Sequence, residues 1–109
     1  MTRDDLLPQE LLEQIPPLYS NEEISTENQM IKVKYFLAGF TWLVTECEPQ
    51  EDGDVLFFGY VINHGYPDCS EWGYFTLNQL MEIKLFVIYE IERDIYFKEC
   101  KFKDYKNIG

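Results

Sequence analysis

Basic side chains are scarce in this chain. Its 109 residues include 9 lysines and arginines against 20 aspartates and glutamates, which gives a formal net charge of −11. A protein that binds DNA or RNA directly has the opposite balance, because its affinity comes from Lys and Arg clustered against phosphates. We therefore expect no direct contact with nucleic acid, and an attraction to basic protein surfaces that weakens as salt is added.

Cysteine and histidine are also rare. Cys47, Cys69 and Cys100 are widely spaced and form no CxxC pair, so the sequence predicts neither a disulfide framework nor a zinc site. His64 and Cys69 together supply too few ligands for a tetrahedral metal site. The glycines form no phosphate-binding loop, and no serine or cysteine occupies a nucleophile elbow. We expect no metal and no cofactor, and the sequence favours a protein that is not an enzyme.

Long apolar runs are missing as well. No stretch approaches the ~18 apolar residues of a membrane-spanning helix, and the N-terminus has no basic segment followed by an apolar one, as a secretory signal would. We expect a soluble, cytoplasmic protein with no membrane association. Apolar and aromatic residue types are abundant, at 46% and 17% of the chain, so residues 1–109 are predicted to form a single globular domain.

The spacing of apolar residues changes along the chain. A four-residue spacing over 6–15 predicts a short amphipathic helix, which Pro16 and Pro17 must end, and a polar loop follows over 20–29. Alternating or nearly continuous apolar sequence then predicts β-strands. These strands are expected at residues 31–36, 41–47, 55–62 and 89–102.

A second helix is predicted from a capping box. Thr76 and Gln79 have the Thr-x-x-Gln spacing in which each side chain satisfies a backbone N–H at the other's position, so a helix is expected over residues 76–84. The predicted fold class is α+β, an antiparallel sheet of four to five strands with the N-terminal helix and this second helix packed against it.

One charged residue falls on the apolar side of its predicted strand. Alternation places Arg93 there, and an unpaired buried guanidinium is too costly to tolerate. Glu46 is predicted to share a face with Trp42 on another strand, and we expect it to pair with Arg93. Glu92 and Asp94 are predicted to point to the opposite face, where two strand residues place their carboxylates ~6 to 7 Å apart.

The acids are unevenly distributed. Residues 1–90 contain 16 acids and 4 bases, whereas residues 91–109 contain 4 acids and 5 bases. Tyrosine and tryptophan, which often anchor protein interfaces, occur among the acids of the first part. The expected partner-binding residues are Glu22, Glu23, Glu48, Glu51, Asp52, Asp54, Trp72 and Tyr74.

Two other functions are compatible with the sequence. The chain is a small enzyme or ligand-binding domain if a second set of residues surrounds one pocket. That set is Tyr19, Glu46, Glu92, Arg93 and Asp94. Alternatively, the chain is a structural or accessory subunit whose aromatic side chains are buried in a homodimer, so that both a monomer and a homodimer remain open.

Several short segments together resemble a known family. They are residues 16–20 (PPLYS), 33–36 (VKYF), 41–42 (TW), 45–46 (TE), 57–59 (FFG), 73–77 (GYFTL) and 91–97 (IERDIYF). In this order they resemble a family of small bacterial proteins, borne by plasmids and phages, that is classed as domain of unknown function 2958. The resemblance covers about residues 6–98 and leaves 99–109 as a basic C-terminal tail. It implies a mobile genetic element and a cytoplasmic setting, and it names no reaction.

Charge and resemblance together suggest a function. We expect a non-enzymatic acidic binding protein of a mobile genetic element, which inhibits a host defence protein or a nucleic-acid-handling protein such as a nuclease. Its acidic surface would then occupy the partner's basic groove in the manner of a DNA mimic.

Overall fold

A computed structural model describes residues 1–85 and 89–108 of the chain. The elements, in chain order, are α1 (Arg3–Leu6), α2 (Gln9–Leu12), a 3-10 turn (Thr26–Asn28), β1 (Met30–Ile31), β2 (Val33–Leu37), β3 (Phe40–Pro49), β4 (Val55–Asn63), a second 3-10 turn (Pro67–Cys69), β5 (Glu71–Thr76), α3 (Leu77–Glu82), β6 (Lys84–Leu85), β7 (Tyr89–Glu90), β8 (Glu92–Arg93), β9 (Cys100–Lys101) and α4 (Phe102–Ile108).

A five-stranded antiparallel sheet organises the fold. Its strand order is β5-β4-β3-β2-β8, and two smaller two-stranded sheets pair β1 with β9 and β6 with β7. The long central strands are rich in β-branched and aromatic residues, which pack well on a pleated surface. The predicted α+β class is therefore confirmed, and so is the prediction of a four- to five-stranded antiparallel sheet.

The first face of the sheet forms the main hydrophobic core. Burial alternates along β2, so that Val33, Tyr35 and Leu37 point into this core. Helices α1 to α3 cover it, and Leu6 and Leu77 are fully buried there. The capping box predicted for α3 is confirmed, because the side chains of its first-turn residues hydrogen-bond reciprocally to each other's backbone N–H groups.

The second face of the sheet is covered only in part. Leu43 packs there with Ile31 and with Phe102 of α4 in a smaller cluster of buried residues. Tyr60 and Trp72 flank this cluster, and the ring centroids of both lie 4.9 Å from that of Phe102. The remaining part of this face carries the candidate site.

A β-bulge interrupts the pairing of β3 with β4. Val44 lies opposite Gly59 and Glu46 lies opposite Phe58, so Thr45 is the extra residue. Side chains alternate between faces along a regular strand, and one inserted residue reverses the alternation beyond it. Glu46 therefore lies on the second face of the sheet, away from the main core.

Three element predictions are wrong, and strand β5 (Glu71–Thr76) has no predicted counterpart. The helix predicted over 6–15 is split into α1 and α2, because Pro8 has an extended backbone (ψ 151°) and begins a new helix instead of continuing the first. The strand predicted over 89–102 is broken, because Asp94 begins a turn: its side chain accepts from the Tyr96 N–H and its carbonyl from the Phe97 N–H. The end of the chain, expected as a basic tail over 99–109, forms α4.

Candidate functional site

A cavity of about 550 Å³ opens on the second face of the sheet. Register places three of its lining residues side by side on this face, because Glu46 pairs with Phe58 and Phe58 pairs with Tyr74. The opposite wall is the irregular segment between α2 and β1. The lining residues are Tyr19, Asn21, Glu22, Ile24, Thr26, Gln29, Glu46, Phe58, Trp72 and Tyr74.

Glu46 is the buried charge of this cavity. Its residue is 6% exposed, and its two carboxylate oxygens accept hydrogen bonds from the backbone N–H groups of Tyr19 (3.3 Å) and Asn21 (2.8 Å). Among the described residues, no Lys or Arg lies within ion-pair distance of it. The two backbone N–H groups satisfy one acceptor site on each oxygen, and a carboxylate can accept further hydrogen bonds beyond these two.

Three aromatic side chains form the wall beside Glu46. The rings of Phe58 and Trp72 are stacked, with centroids 5.7 Å apart and planes inclined by 19°. The Phe58 and Tyr74 centroids are 5.1 Å apart. Trp72 is supported from behind by Tyr60, at 5.3 Å, and by Phe102. This wall is therefore held in place by aromatic packing before any ligand binds.

Local hydrogen bonds shape the opposite wall. The Gln29 side-chain amide donates to the carbonyls of Asn21 and Ile24, both at 2.9 Å, which folds the polar segment into a compact turn. Tyr19 has a positive φ of 68°, which is strained for a bulky residue. Its backbone N–H is bonded to Glu46, so the same carboxylate that lies in the cavity also stabilises this conformation.

Tyr19 and Tyr74 meet at the cavity mouth, and both are more than half exposed. Hydrogen bonding with the Tyr19 side chain is the largest of the effects that raise the pKa of the Tyr74 hydroxyl, and the negative charges of Glu46 and Glu22 raise it further. The two tyrosine hydroxyls and the two carboxylates therefore act on one another across the mouth of the cavity.

A shallow acidic groove adjoins the cavity. It has a volume of about 520 Å³ and is formed by the turn between β3 and β4. Glu48 follows Glu46 on the same face of β3, two residues further along, so the groove begins next to the part of β3 that lines the cavity. The residues that line the groove are Glu48, Pro49, Gln50, Glu51 and Asp52.

The structure distributes the expected partner-binding residues over these two features. Glu22, Trp72 and Tyr74 line the cavity, and Glu48, Glu51 and Asp52 line the groove. Glu23 is exposed next to Glu22. Asp54 stabilises the local backbone, because its Oδ1 accepts hydrogen bonds from the backbone N–H groups of Val55 (2.8 Å) and Asn78 (3.0 Å). Asp52 also accepts from the backbone N–H of Asp54, at 2.9 Å.

The alternative pocket of five residues does not assemble. Tyr19 and Glu46 line the cavity, whereas Glu92 and Arg93 form β8 at the opposite edge of the sheet from β5, and Asp94 follows them. Asp94 Oδ2 lies 3.8 Å from Lys34 Nζ. The carboxylates of Glu92 and Asp94 are therefore not presented as a pair on one regular strand.

The predicted ion pair between Arg93 and Glu46 is wrong. Arg93 does lie on the main-core face, opposite Tyr35, but the bulge in β3 moves Glu46 to the other face. Instead, Arg93 Nε donates to the Asp5 carbonyl at 2.8 Å, so it satisfies the C-terminal turn of α1.

Sequence reasoning missed half of the cavity. Most of the residues that it missed belong to the polar segment over 20–29, which has no periodicity and was predicted only as a loop. Phe58 lies in a nearly continuous apolar run, which does not show which face of its strand is open. The missed lining residues are Asn21, Ile24, Thr26, Gln29 and Phe58.

Other features of the described residues add no chemistry to the site. Cys47, Cys69 and Cys100 are free, and burial raises the pKa of the Cys47 thiol to about 11. In the described ranges, no group of three His, Cys, Asp or Glu side chains could hold a metal ion. No helix there is long and apolar enough to cross a membrane.

Comparison with known protein families gives a match over most of the chain. The model of a family described as "Protein of unknown function (DUF2958)" matches residues 6–106. The match extends past the 6–98 expected from the resemblance, and it includes the first part of α4. No curated protein and no solved structure matches the chain.

Proposed function

We propose that this chain, which belongs to the DUF2958 family, is a non-enzymatic binding protein that docks onto a basic surface of a partner protein. The docking surface consists of the cavity and the adjoining acidic groove. The cavity anchors one cationic group of the partner, and the groove attracts the charges around it.

The observation that supports this proposal most strongly is the environment of Glu46. A carboxylate that is 6% exposed is costly to bury, and among the described residues no cation offsets its charge. It lines an open cavity beside aromatic rings, which attract cations through their faces. A positively charged ligand would complement both features.

The distribution of ion pairs points to the same surface. Within the described part of the chain, Lys32 pairs with Glu99 at 2.6 Å, and Lys34 lies near Asp94. The N-terminal ammonium pairs with Glu90 at 2.7 Å. None of these pairs involves a residue of the cavity or the groove, and Arg3, a cation at the turn between β3 and β4, donates to the Gly53 carbonyl (2.6 Å) rather than to a carboxylate, so the acids there can still attract an external basic surface.

The partner class follows from this charge. Proteins that handle nucleic acid have extended basic grooves for phosphates, and an acidic surface of this kind would compete for such a groove. We propose a nucleic-acid-handling or host defence protein as the partner, with the chain acting as its inhibitor on behalf of a mobile genetic element. The enzyme alternative has less support, because only Tyr19 and Glu46 of its five residues reach the cavity.

An affinity experiment tests the proposal. The protein is immobilised and exposed to a bacterial cytoplasmic extract at about 50 mM and about 500 mM salt, which shortens the screening length of charge interactions roughly threefold. The same is done with Glu48→Lys/Glu51→Lys, which reverses the groove. The matched control is Glu10→Lys/Glu82→Lys, which makes the same charge change on the helices covering the other face.

We expect basic proteins to be retained at low salt by the wild type and the control, and lost at high salt or with the groove variant. Retention that is equal at both salt concentrations would contradict the proposal. Equal losses with the two variants would contradict it as well, because they would show a response to net charge without a defined surface.

A further inference from the structure

The cavity combines a carboxylate and aromatic faces in one recess. Each oxygen of Glu46 already accepts one backbone N–H, and a carboxylate offers about four acceptor sites, so one site on each oxygen remains. A donor group that is itself a planar fork can use both oxygens of one carboxylate at the same time.

The aromatic wall suits the same shape. Trp72 is fixed between Phe58, Tyr60 and Phe102, and Tyr74 lies next to Phe58 with half of its surface exposed. A planar cation that stacks on such rings keeps its edges free for in-plane hydrogen bonds to a carboxylate. Glu22 adds a second negative charge to the lining.

We propose that the cavity binds the guanidinium group of an arginine side chain supplied by the partner protein. This inference rests on the proposed function and assigns the chemistry of the group that the cavity accepts. The guanidinium donates two N–H groups to the free acceptor sites of Glu46 and stacks against the wall of Trp72 and Tyr74, while its aliphatic stem passes Ile24 at the rim.

A lysine ammonium fits these features less well. It is a compact and strongly hydrated charge, so it loses more hydration than a guanidinium when it enters a recess with aromatic walls. It also lacks the planar fork that matches two carboxylate oxygens and the flat face that stacks on a ring. The cavity should therefore discriminate between two cations of equal charge.

Two peptides of equal charge test this discrimination. Nona-arginine and nona-lysine are titrated into the full chain at about 50 mM salt, where charge attraction is strong. Binding is followed by calorimetry and by tryptophan fluorescence. Trp72 lies in the cavity wall, whereas Trp42 is buried in the main core, so Trp72→Phe identifies the fluorescence signal that comes from the site.

The wild type should bind nona-arginine roughly tenfold more tightly than nona-lysine, a ratio typical of losing one well-placed charge-assisted contact. Tyr74→Ala and Glu46→Gln should bring this ratio close to one. Tyr74→Phe, which keeps the ring, should preserve most of it. Tyr74 is exposed on β5, so both of its variants are expected to fold, and circular dichroism verifies this.

The outcomes separate this inference from the proposed function. If both peptides bind the wild type equally and Glu48→Lys/Glu51→Lys weakens both, the basic-surface function stands and the arginine site is refuted. An arginine preference that survives Tyr74→Ala also refutes the site. If neither peptide binds at low salt, the proposed function itself fails.

Discussion

Gly59 is the residue on which the geometry of the site depends most directly. It lies opposite Val44, next to the bulge in β3, where the two backbones approach closely. A Cβ at Gly59 would lie 1.9 Å from the Leu43 carbonyl oxygen and 2.8 Å from its carbonyl carbon. Only glycine fits there without moving the backbone, and the bulge turns Glu46 towards the cavity.

Gly59→Ala should destabilise the fold by about 3 kcal/mol, because the added methyl group meets backbone atoms that cannot rotate away. Gly73→Ala is the matched control: Gly73 is the partner of Gly59 across β4 and β5, and nothing lies within 4 Å of a Cβ placed there. Its free energy of unfolding should change by less than about 1 kcal/mol. Urea unfolding measures both, and similar losses in the two variants would contradict the close approach.

Glu46 shows why the sequence could predict only part of the site. The sequence predicts Glu46 to be the partner of Arg93, because regular alternation places it on the same face as Trp42. The sequence of a segment rich in β-branched residues does not indicate a bulge. One inserted residue reverses the face of the sheet to which every later side chain of the strand points. Tyr19 and Tyr74 were singled out by residue type alone, without any indication that they meet.

At the scale of elements, the turn between β3 and β4 is tied to helix α3. Asp54 Oδ1 accepts the backbone N–H of Asn78 in the first turn of α3 as well as that of Val55 at the start of β4. A carboxylate at this position also interacts favourably with the positive end of the helix dipole. One side chain therefore fixes the acidic groove relative to the sheet and the helix.

Asp54→Ala should cost about 1–2 kcal/mol, because two backbone donors lose a charged acceptor. Calorimetry should record a fall in melting temperature of roughly 4–15 °C for a domain of this size. Asp54→Asn retains an oxygen acceptor at the same position and should recover part of the loss. A melting temperature unchanged in Asp54→Ala would show that the turn does not depend on this contact.

Elements with strong local signals were predicted well. The capping box of Thr76 and Gln79 placed the start of α3, and apolar runs located β2, β3 and β4 to within a few residues. Strand β5 was not predicted, and neither were the split at Pro8, the turn at Asp94 and helix α4. Each of these last three depends on how one residue's backbone competes with a continuing apolar pattern, and tertiary contacts decide the result: Phe102 is buried against Tyr60 and Trp72.

At the scale of the whole molecule, one face of the sheet forms the main core and the other carries the candidate site. Helices α1 to α3 cover the first face with apolar side chains, and the strands supply most of the buried residues of the main core. Helix α4 and β1 cover one part of the second face, and the cavity lies on another part, near the acidic turn between β3 and β4. The proposed docking surface therefore lies where exposed acids meet fixed aromatic rings, on a chain whose net charge is −11.

This division predicts that the groove and the cavity affect different rate constants. Exposed charges act at a distance and steer the encounter, whereas a recessed contact forms after docking and slows dissociation. For nona-arginine at about 50 mM salt, Glu48→Lys/Glu51→Lys should lower the association rate constant by roughly tenfold, and the difference should shrink at about 500 mM salt. Tyr74→Ala should leave association unchanged and raise the dissociation rate constant by roughly tenfold.

Surface plasmon resonance measures both rate constants. The prediction is contradicted if Tyr74→Ala slows association and the groove variant only speeds dissociation. Such a result would show that the cavity is not reached after docking and that the two features do not act in this order.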